Sequence, residues 1–472
     1  MEQDVVVQLL GITVPVTVTR NISEAVKRYY LYYSASEATR EQMYQEFVRR
    51  FSTNEKGFPM RWFIMQNYIK RIIDKRVEAI PKRFDIIIDP ERAGGVRRAQ
   101  HLHRVLLDWL NAPNFGGNRN FWQQQGFFLL LLEITGNLFL KAVLETVNGS
   151  PVVTVGVMDT GNVMIYYDPN RLDTVFAYVF SYQDQYLDPN GQWKVDNVTE
   201  IISAKQYIRL VNNQLDRSIP NNPAPNRWGV IPVTHIVNEE QLGTPLGRSG
   251  VEDLIEPQNM INAVLTDLRM ANKSSVFPMF VGHSLREPNI VLQPGRFIPL
   301  HPGGVLQPIS LATNTTALQL ELEHYIRDIH EKGRVTQQTE ENLRALGNAP
   351  SGKALLVLTQ DGIQYITEKI ELLKAGWRDL FTKVLLMMGE ISEYDPLLVN
   401  IVYPPLELQE KPSVSDKIKT LILLNESGKI SDEQLLRELR RNGYLPDDGE
   451  QPVESSLDRF FWSEGDIEVV SE

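Results

Sequence analysis

The sequence of 472 residues contains no cysteine. Disulfide bonds, thiolate catalysis and cysteine-ligated metals are therefore excluded. Long apolar runs are also missing: the nearest candidate, FFLLLL at Phe127–Leu132, is far shorter than the ~20 residues of a membrane helix and has the length of a strand. The start, MEQDVVVQLL, lacks a basic region followed by an apolar one, so we expect neither a secretory signal nor a membrane partner.

Positive charge is in short supply. There are 48 Lys and Arg residues against 59 Asp and Glu, which gives a net charge of −11. A protein that holds DNA by its phosphates usually presents a basic surface, so tight nonspecific DNA binding by the whole surface is not expected. Much of the acidic excess lies in 446–472, which we predict to be solvated and disordered; partner binding by the string RFFW within it is the alternative.

The chain is long enough for about three domains of ~150 residues. From Ile22 to about Pro113, charged and apolar residues recur at helical spacing, which predicts helices. From Gly126 to about Asn238, short apolar and β-branched runs alternate with turn signals, which predicts a mostly antiparallel β-region. The predicted hairpin turns are Asn148-Gly149, Asp168-Pro169-Asn170 and Asn190-Gly191.

In the second half, two amphipathic segments bracket a region rich in proline and glycine. The two segments and the region between them are 250–272, 316–334 and 273–315. Ser249 and Glu252 have the spacing of a capping box, and Pro257 should kink or restart the first helix. A polar stretch, a long helix with bends at its glycines Gly362 and Gly376, and two short helices are then predicted at 335–349, Gly352–Met388, Val414–Glu426 and Asp432–Asn442.

The string from Gly347 to Lys353 spells Gly-x-x-x-x-Gly-Lys, which is close to a nucleotide-binding P-loop. A P-loop continues with Ser or Thr, whose hydroxyl holds Mg²⁺, but Ala354 has no oxygen to offer. The preceding segment is polar and does not have the pattern of a buried strand. We therefore interpret the string as a loop-to-helix junction in which Ser351 caps the following helix, and a nucleotide-binding enzyme is the alternative.

Other patterns for catalysis or metal binding are weak. His101 and His103 would point to different faces of a helix, and His324 and His330 do not share a face either. The sequence has no His-Glu-x-x-His and no Gly-x-Ser-x-Gly, and its carboxylates show no recognisable acid–base or two-metal spacing. We expect no metal, no cofactor and no enzymatic activity of the chain by itself.

The order of several motifs is more specific than any one of them. GVIPVTHIVN is followed by GRSGVEDL and by a helical segment rich in Gln, Asn and Asp. Together with the later PSGKALL and LLNESGKISDEQLLREL, this order resembles that of the portal proteins of tailed bacteriophages. The matching residues are Gly229, Ile231, Pro232, Val233, Asn238, Gly247, Ser249, Glu252, Asp253, Leu254, Gln258, Asn262 and Asp267. The resemblance covers most of the chain except its N-terminal segment and the acidic tail.

The resemblance implies an α+β, multi-domain architecture that forms rings. It would have a wing that is helical and then β-rich, two stem helices, a small clip, a long helix and a helical crown. The expected parts are an N-terminal segment 1–20, the wing 21–249, the first stem helix 250–272, the clip 273–315, the second stem helix 316–334, the tunnel loop 335–349, the long helix 350–389, the crown 390–445 and the acidic tail 446–472.

The resemblance also implies a function. Portal proteins form a channel at one capsid vertex, through which a terminase motor packages double-stranded DNA that is later ejected. The implied partners are further copies in a ring, typically a dodecamer, the large terminase subunit, major capsid and scaffolding proteins, head-completion adaptors, and DNA that passes without sequence recognition. The implied location is the virion, after assembly in the host cytoplasm. A soluble interaction protein without a DNA role is a further alternative.

The implied architecture supplies candidate residues. Those expected at the channel or tunnel loop are Lys332, Arg334, Gln337, Gln338, Arg344 and Lys353. The expected hinges of the loop are Gly347, Ser351 and Gly352. The expected positions at the first stem helix are Ser249, Glu252, Asp253, Gln258, Asn262 and Asp267. A strongly basic channel would hold the duplex fast, whereas an acidic wall with a few basic contacts would let it slide.

Overall fold

The structure is a computed structural model. It describes residues 3–51, 60–115, 118–147, 150–187, 191–219, 221–276, 279–285, 300–309, 315–335 and 352–404. The chain divides into two units, Met1–Pro405 and Leu406–Glu472, and every described residue belongs to the first. The two short helices predicted after residue 413, the acidic tail and most of the predicted tunnel loop therefore lie outside the described residues.

The predicted helical region between Ile22 and Pro113 is confirmed, since α2 to α5 lie there. Within the described ranges the α-helices are α1 (Gln3–Leu10), α2 (Ser23–Ser34), α3 (Arg40–Phe51), α4 (Tyr68–Ala79), α5 (Val96–Asn111), α6 (Phe121–Thr135), α7 (Ile255–Val276), α8 (Thr315–Lys332) and α9 (Gly352–Met387).

The prediction that FFLLLL has strand character is wrong, because this string lies within α6. The β-region accordingly begins at Asn137 and not at Gly126. The side chain of Asn120 accepts a hydrogen bond from the Gln123 N–H (3.0 Å) at the start of α6, and Gly136 ends the helix in the left-handed conformation at φ 81°. The apolar run covers nearly all sides of α6, so it lacks the one-sided periodicity that identifies an amphipathic helix.

The α+β fold class is confirmed. The strands are β1 (Thr17–Val18), β2 (Asp85–Ile88), β3 (Asn137–Val147), β4 (Ser150–Met158), β5 (Val163–Asp168), β6 (Arg171–Leu187), β7 (Trp193–Ser203), β8 (Gln206–Val211), β9 (Gln214–Leu215), β10 (Ala224–Pro225), β11 (Val233–Val237), β12 (Met279–Leu285), β13 (Leu300–Ile309) and β14 (Val399–Val402). All of their pairings are antiparallel, and the pairs β3–β4, β5–β6 and β6–β7 confirm the three predicted hairpins.

The strands form two larger sheets and two separate pairs. The large sheet has the order β1-β5-β6-β7-β8-β10, with β9 added to β8. The small sheet has the order β11-β3-β4, and the separate pairs are β12–β13 and β14–β2. Consecutive side chains of a strand point to opposite faces, so the large sheet has an apolar layer on each side. One layer includes Phe139, Ile165, Tyr178, Phe180 and Ile202. The other includes Tyr166, Val179, Ile201 and, from α1, Val6.

An aromatic core joins α6 to the long helix α9. The ring of Phe121 lies 5.1 Å from that of Trp377 and 5.4 Å from that of Phe381, and all three side chains are fully buried. Burial of such a side chain contributes ~1.5–3 kcal/mol. At Gly376 of α9, a Cβ atom would collide with Ile236 of β11. This glycine therefore allows the long helix to lie directly against the small sheet; a bend of α9 there stays a prediction.

The helix pair α7–α8 brackets the strand pair β12–β13, in agreement with the predicted order of segments. The observed ends of α8 and α9 differ from the predicted ones by two residues at most. The predicted start of the first helix is wrong, because α7 begins at Ile255 after a 3₁₀ turn over Glu252–Leu254. Pro257 accordingly lies in the first turn of α7, where a proline is tolerated because that N–H has no partner within the helix.

Candidate functional site

A buried group of three charged side chains and one tyrosine joins α4, α6 and α9. The members of this group, called the Glu133 cluster below, are Arg76, Glu133, Tyr365 and Lys369. The Glu133 carboxylate accepts hydrogen bonds from the Tyr365 hydroxyl (2.9 Å) and from the Lys369 ammonium group. It also lies 3.6 Å from the Arg76 guanidinium. Tyr365 and Lys369 are one helical turn apart on α9, so both reach the same carboxylate. Lys369 additionally donates to the side-chain oxygen of Asn238.

The Glu133 carboxylate has no solvent exposure. Burial alone would raise its pKa, but the positive charges of Lys369 and Arg76, with the hydrogen bonds from Lys369 and Tyr365, outweigh burial and hold the pKa below its ordinary value. The Glu133 carboxylate is therefore ionised at neutral pH, whereas burial lowers the pKa of the Lys369 ammonium group despite the attraction of that carboxylate. Removal of one member of such a group costs ~3–5 kcal/mol, because it leaves a buried charge uncompensated.

Arg76 connects the cluster to both ends of the α7–α8 pair. Its Nε–H donates to the carbonyl of Gly333 (2.8 Å) and its Nη2–H to the carbonyl of Lys332 (3.3 Å). Its Nη1–H donates to the carbonyl of Gly250, shortly before α7 (3.4 Å). The last carbonyls of a helix have no hydrogen-bond donors within the helix, and Arg76 provides these donors at the end of α8. One buried side chain thus fixes the start and the end of the helix pair.

Two glycines make this close packing feasible. A Cβ atom on Gly250 would collide with the carboxylate of Glu133. A Cβ atom on Gly333 would lie 2.8 Å from the carbonyl oxygen of Ile329 and 2.9 Å from a methyl group of Ile72. Both distances are too short for carbon, so any larger residue would push the α8 end away from the cluster.

The structure brings two of the predicted channel residues to the Glu133 cluster. Lys332 is the last residue of α8, and its ammonium group forms an ion pair with Asp328 (2.9 Å). Arg334 has a left-handed backbone at φ 50°, and its guanidinium lies over the ring of Tyr365, 5.0 Å from the ring centre. Both side chains remain exposed enough to meet solvent or another molecule. They mark the point where the chain leaves α8 towards residue 336.

The other predicted residues of the loop are mostly outside this part of the chain. Those outside the described residues are Gln337, Gln338, Arg344, Gly347 and Ser351. Gly352 and Lys353 begin α9, as the interpretation of a loop-to-helix junction predicts. Residues 336–351, which directly precede this junction, lie outside the described residues.

The predicted capping box of Ser249 and Glu252 is wrong. The Ser249 hydroxyl donates to the carbonyl of Ile134 at the end of α6 (2.5 Å) and accepts from the N–H two residues further on (3.1 Å). The end of α6 thus competes for this hydroxyl, because its carbonyls lack helical partners. Glu252 and Asp253 both face Arg248, with Glu252 at 3.4 Å. These three charged residues are half-buried or exposed and form a local ion network.

Two predicted stem positions, Gln258 and Asn262, are buried inside the subunit and form a ladder with Thr266. The ladder residues are spaced by one helical turn and accept hydrogen bonds, in turn, from the backbone N–H groups of Tyr68 (2.8 Å), Gln66 (3.0 Å) and Ile64 (3.1 Å). The ~6 Å rise over four helical residues is close to the ~6.6 Å rise over two extended residues. The three side chains can therefore accept hydrogen bonds from alternate backbone N–H groups, as the carbonyls of a neighbouring strand would. They are therefore unavailable for contact with DNA.

Asp267 lies on the exposed side of α7. Partial burial and, secondly, the nearby Glu321 of α8 raise the pKa of its carboxyl. Asp267 therefore faces away from the ladder, unlike the predicted stem positions Gln258 and Asn262.

The histidines singled out in the sequence make local contacts. The His101 ring lies 3.1 Å from the Glu390 carboxylate, and His330 contacts the carbonyl of Ile326 at 2.7 Å. In the described ranges, no group of three or more His, Asp or Glu residues is arranged to hold a metal ion. None of the helices in those ranges is long and apolar enough to cross a membrane.

Sequence reasoning missed the central residues of the Glu133 cluster. A signal was present for Glu133, which is the one charge in the otherwise apolar string FFLLLLEIT. A lone carboxylate in an apolar run needs a buried partner. Its partners Arg76 and Lys369 lie in ordinary mixed helices, about 57 residues before it and more than 200 after it, so no local pattern could pair them with it.

The fold and the cluster define an α+β protein in which a helix pair and one long helix are anchored to two sheets. The family described as "Phage portal protein, SPP1 Gp6-like" matches residues 118–441, which is more than half of the chain. The chain belongs to this family of phage portal proteins. No curated protein matches it.

Several solved structures are similar to the chain. One is described as the neck of a native GTA particle computed with C12 symmetry, with 12% sequence identity, a TM-score of 0.41 and coverage of 79% of this chain and 90% of that chain. Another is described as the virion of a native gene transfer agent particle, with 11% identity, a TM-score of 0.45 and coverage of 94% of this chain and 99% of that chain.

Proposed function

We propose that the chain is the subunit of a ring-shaped channel at one vertex of a viral capsid. Double-stranded DNA passes through this channel when a terminase motor packages it and again when it is ejected. The observation that carries the proposal is the match to the phage portal family over residues 118–441. In this proposal the chain acts as a structural component of the virion and the motor enzyme is a separate protein.

The proposed parts follow the order of the elements. The N-terminal segment 1–20 precedes the wing, 21–249, which contains α2 to α6 and all strands of the two larger sheets except β1. The helices α7 and α8 are the stem, and β12–β13 belong to the clip between them. Residues 335–349 are the tunnel loop, α9 is the long helix, and 390–445 form the crown. The acidic tail, 446–472, follows.

The surface of α8 supports assembly into a ring. Its apolar side chains are only partly covered within one subunit, since Ile329 is the buried residue of the helix and Leu320 is 62% exposed. The half-buried members of the apolar stripe are Leu318, Leu322, Tyr325 and Ile326. An amphipathic helix is stable when its apolar face is covered, and a head-to-tail neighbour around an axis would cover this one.

The charges of α8 fit a passage for DNA that must slide. Its exposed acids Glu321, Glu323 and Glu331 lie among the exposed bases Arg327 and Lys332, so α8 shows no continuous basic stripe. Each DNA phosphate that pairs with a Lys or Arg side chain of the channel strengthens the binding of the duplex and slows its movement. We therefore propose that basic contacts with the duplex are few and lie at the tunnel loop, from Lys332, Arg334, Arg344 and Lys353.

The Glu133 cluster would anchor the tunnel loop against the pull of moving DNA. The loop follows α8, whose last carbonyls are held by Arg76, and it ends at α9, which supplies Lys369 and Tyr365. The start of the loop thus lies beside Glu133, and its end continues into α9, which reaches the same carboxylate 13 residues later through Tyr365. A force on the loop would be passed to the wing through these buried contacts. In the same proposal, the terminase and head-completion adaptors dock at the clip, and capsid and scaffolding proteins contact the wing.

Deletion of Gln337–Arg344 tests the tunnel loop. We expect the deleted protein to form the same rings as the wild type in electron micrographs and to package little DNA in an assembly reaction with terminase. Substitution of Glu371, an exposed residue of α9, by Gln is the matched control and should leave both unchanged.

Three results would contradict the proposal at different levels. Normal packaging by the deleted protein would show that 335–349 is not the tunnel loop. Purified wild-type protein without rings would refute the channel. ATP turnover that Lys353→Ala abolishes would favour the nucleotide-binding alternative.

A further inference from the structure

Positive charge is concentrated in one part of this acidic chain. Between Glu91 and Glu133 the sequence has five arginines and a single acid, Asp108, whereas the whole chain has a net charge of −11. The arginines are Arg92, Arg97, Arg98, Arg104 and Arg119. A segment of opposite sign within a charged chain indicates a local contact with an anionic partner.

Helix α5 places part of this charge on one exposed face. Its buried residues are Ala99, Leu102, Leu106, Trp109 and Leu110. On the opposite side, Arg97, His101 and Arg104 are exposed and follow one another after four and three residues, so they lie along one face of the helix. We call these three residues the α5 basic face. Its two arginines are separated by ~10 Å along the helix axis, at ~1.5 Å per residue.

The acids near α5 leave these two arginines without counter-charges. Arg98, on the flank of the helix, pairs with Glu390 at 3.3 Å. His101 lies 3.1 Å from the same carboxylate. Neither Arg97 nor Arg104 forms an ion pair with a carboxylate in the part of the chain that the structure describes. Their charges therefore face outward uncompensated.

The position of Arg97 is unfavourable for the helix itself. Arg97 lies in the first turn of α5, and this turn has no acidic residue. The positive end of the helix dipole is there, so a positive charge destabilises the helix by ~0.3–1 kcal/mol. Helix stability therefore does not explain why an arginine occupies this position, whereas binding of an anion does.

The α5 basic face lies far along the chain's long helix from the proposed tunnel loop. The loop leads into α9 at Gly352, and α9 is ~54 Å long at ~1.5 Å per residue. Arg98 and His101 contact Glu390, three residues beyond the other end of α9 at Met387. The two ends of the long helix thus have separate sets of basic residues.

The chemistry of the face favours a polyanion over a protein. It offers two guanidinium groups and an imidazole and has no apolar side chain, whereas the centre of a stable protein interface is usually apolar. Arginine commonly donates to DNA phosphates, and such contacts need no base recognition. Phosphates follow both strands of a duplex without a gap, so two arginines ~10 Å apart can each meet one.

We propose that the α5 basic face binds the phosphate backbone of double-stranded DNA outside the channel. Arg97 and Arg104 each pair with one phosphate, and no base is read. The inference rests on the proposed function, because it requires packaged DNA beside the ring. It adds a contact with the duplex that is independent of the tunnel loop.

A relaxed, covalently closed DNA circle tests the contact and its location. A closed circle cannot be threaded through a preassembled ring, so its binding reports the outer surface and not the tunnel loop. We expect wild-type rings to shift the circle in gel electrophoresis, with equal affinity for two circles of unrelated sequence and a strong dependence on salt. Deletion of Gln337–Arg344 should leave this binding unchanged.

The double variant Arg97→Gln, Arg104→Gln removes the two proposed phosphate contacts. Each lost contact should reduce the slope of log K against log salt by ~0.9, which corresponds to about sixtyfold weaker binding for the pair at ~0.1 M salt. The matched control, Arg49→Gln with Arg171→Gln, removes the same charge from side chains that are 72% and 70% exposed. It should change the affinity less than about twofold, because salt screens charges distant from the contact. Both variants should form rings, since all four positions are exposed.

The results separate this contact from the channel. Wild-type rings that do not bind the circle would refute the contact and leave the channel in place. Equal weakening in the control variant would also refute it, because the effect would then come from net charge. Polyglutamate that displaces the circle as well as a DNA fragment of equal charge would assign the face to an acidic protein instead. Absence of rings in the wild type would refute the channel and, with it, a contact on the outside of the ring.

Discussion

The Glu133→Gln substitution tests whether the buried cluster is ionised and anchors the subunit. Glutamine keeps the shape of glutamate but removes the negative charge. It would remove the anion that lies between the buried side chains of Lys369 and Arg76. We expect a loss of ~3–5 kcal/mol in the free energy of unfolding, the usual cost of an uncompensated buried charge.

Urea unfolding of the purified, dissociated subunit provides the measurement. The buried Trp109 and Trp377 report loss of the core by fluorescence. The matched control is Glu371→Gln on the same helix α9: Glu371 is 65% exposed and pairs with Lys374, so its loss should cost less than ~0.5 kcal/mol. A loss below ~1 kcal/mol for Glu133→Gln would refute the reasoning, because it would mean that Lys369 and Arg76 find other compensation.

The same variant predicts a pH dependence. The pKa of Glu133 is lowered in the folded state, so its contribution to stability is present above the ordinary value of 4.5 and is lost as the pH falls below it. The difference in unfolding free energy between wild type and Glu133→Gln should therefore be constant near neutral pH and shrink below pH 4.5. A difference that stays constant into acid would contradict the lowered pKa.

Two further substitutions test close packing and the ladder. Gly376→Ala places a methyl group against Ile236 and should lower the free energy of unfolding by ~1–3 kcal/mol. Gly156→Ala is the control, because open space surrounds that position, and it should be near neutral. Equal melting temperatures for the two variants would refute the contact of α9 with the small sheet. Asn262→Leu leaves the part-buried backbone N–H of Gln66 without its acceptor and should cost ~1–3 kcal/mol in urea unfolding, while Asn272→Leu at the exposed end of α7 should change stability little. A neutral Asn262→Leu would mean that the ladder does not support the segment before α4.

Much of the secondary structure was predictable because its signals are local. Helices α7, α8 and α9 alternate apolar and polar residues with a helical period, and turn pairs separate the strands of the large sheet. The order of the motifs from Gly229 onward also identified the family that the match over 118–441 shows. The wrong prediction of strand character for α6 has a local reason too. A helix that is apolar on almost every side lacks the helical periodicity of apolar residues by which it would be recognised.

The sequence by itself determined the α+β class, the helix pair around a strand pair and the family, since each depends on neighbours in the chain. Only the tertiary structure decided which polar residues are buried together. Glu133 meets Lys369 across more than two hundred residues, and Gln258 and Asn262 turn inward to a strand-like segment near residue 66. A buried charge or amide needs a partner that is close in space, and that partner cannot be identified from the spacing of residues along the chain.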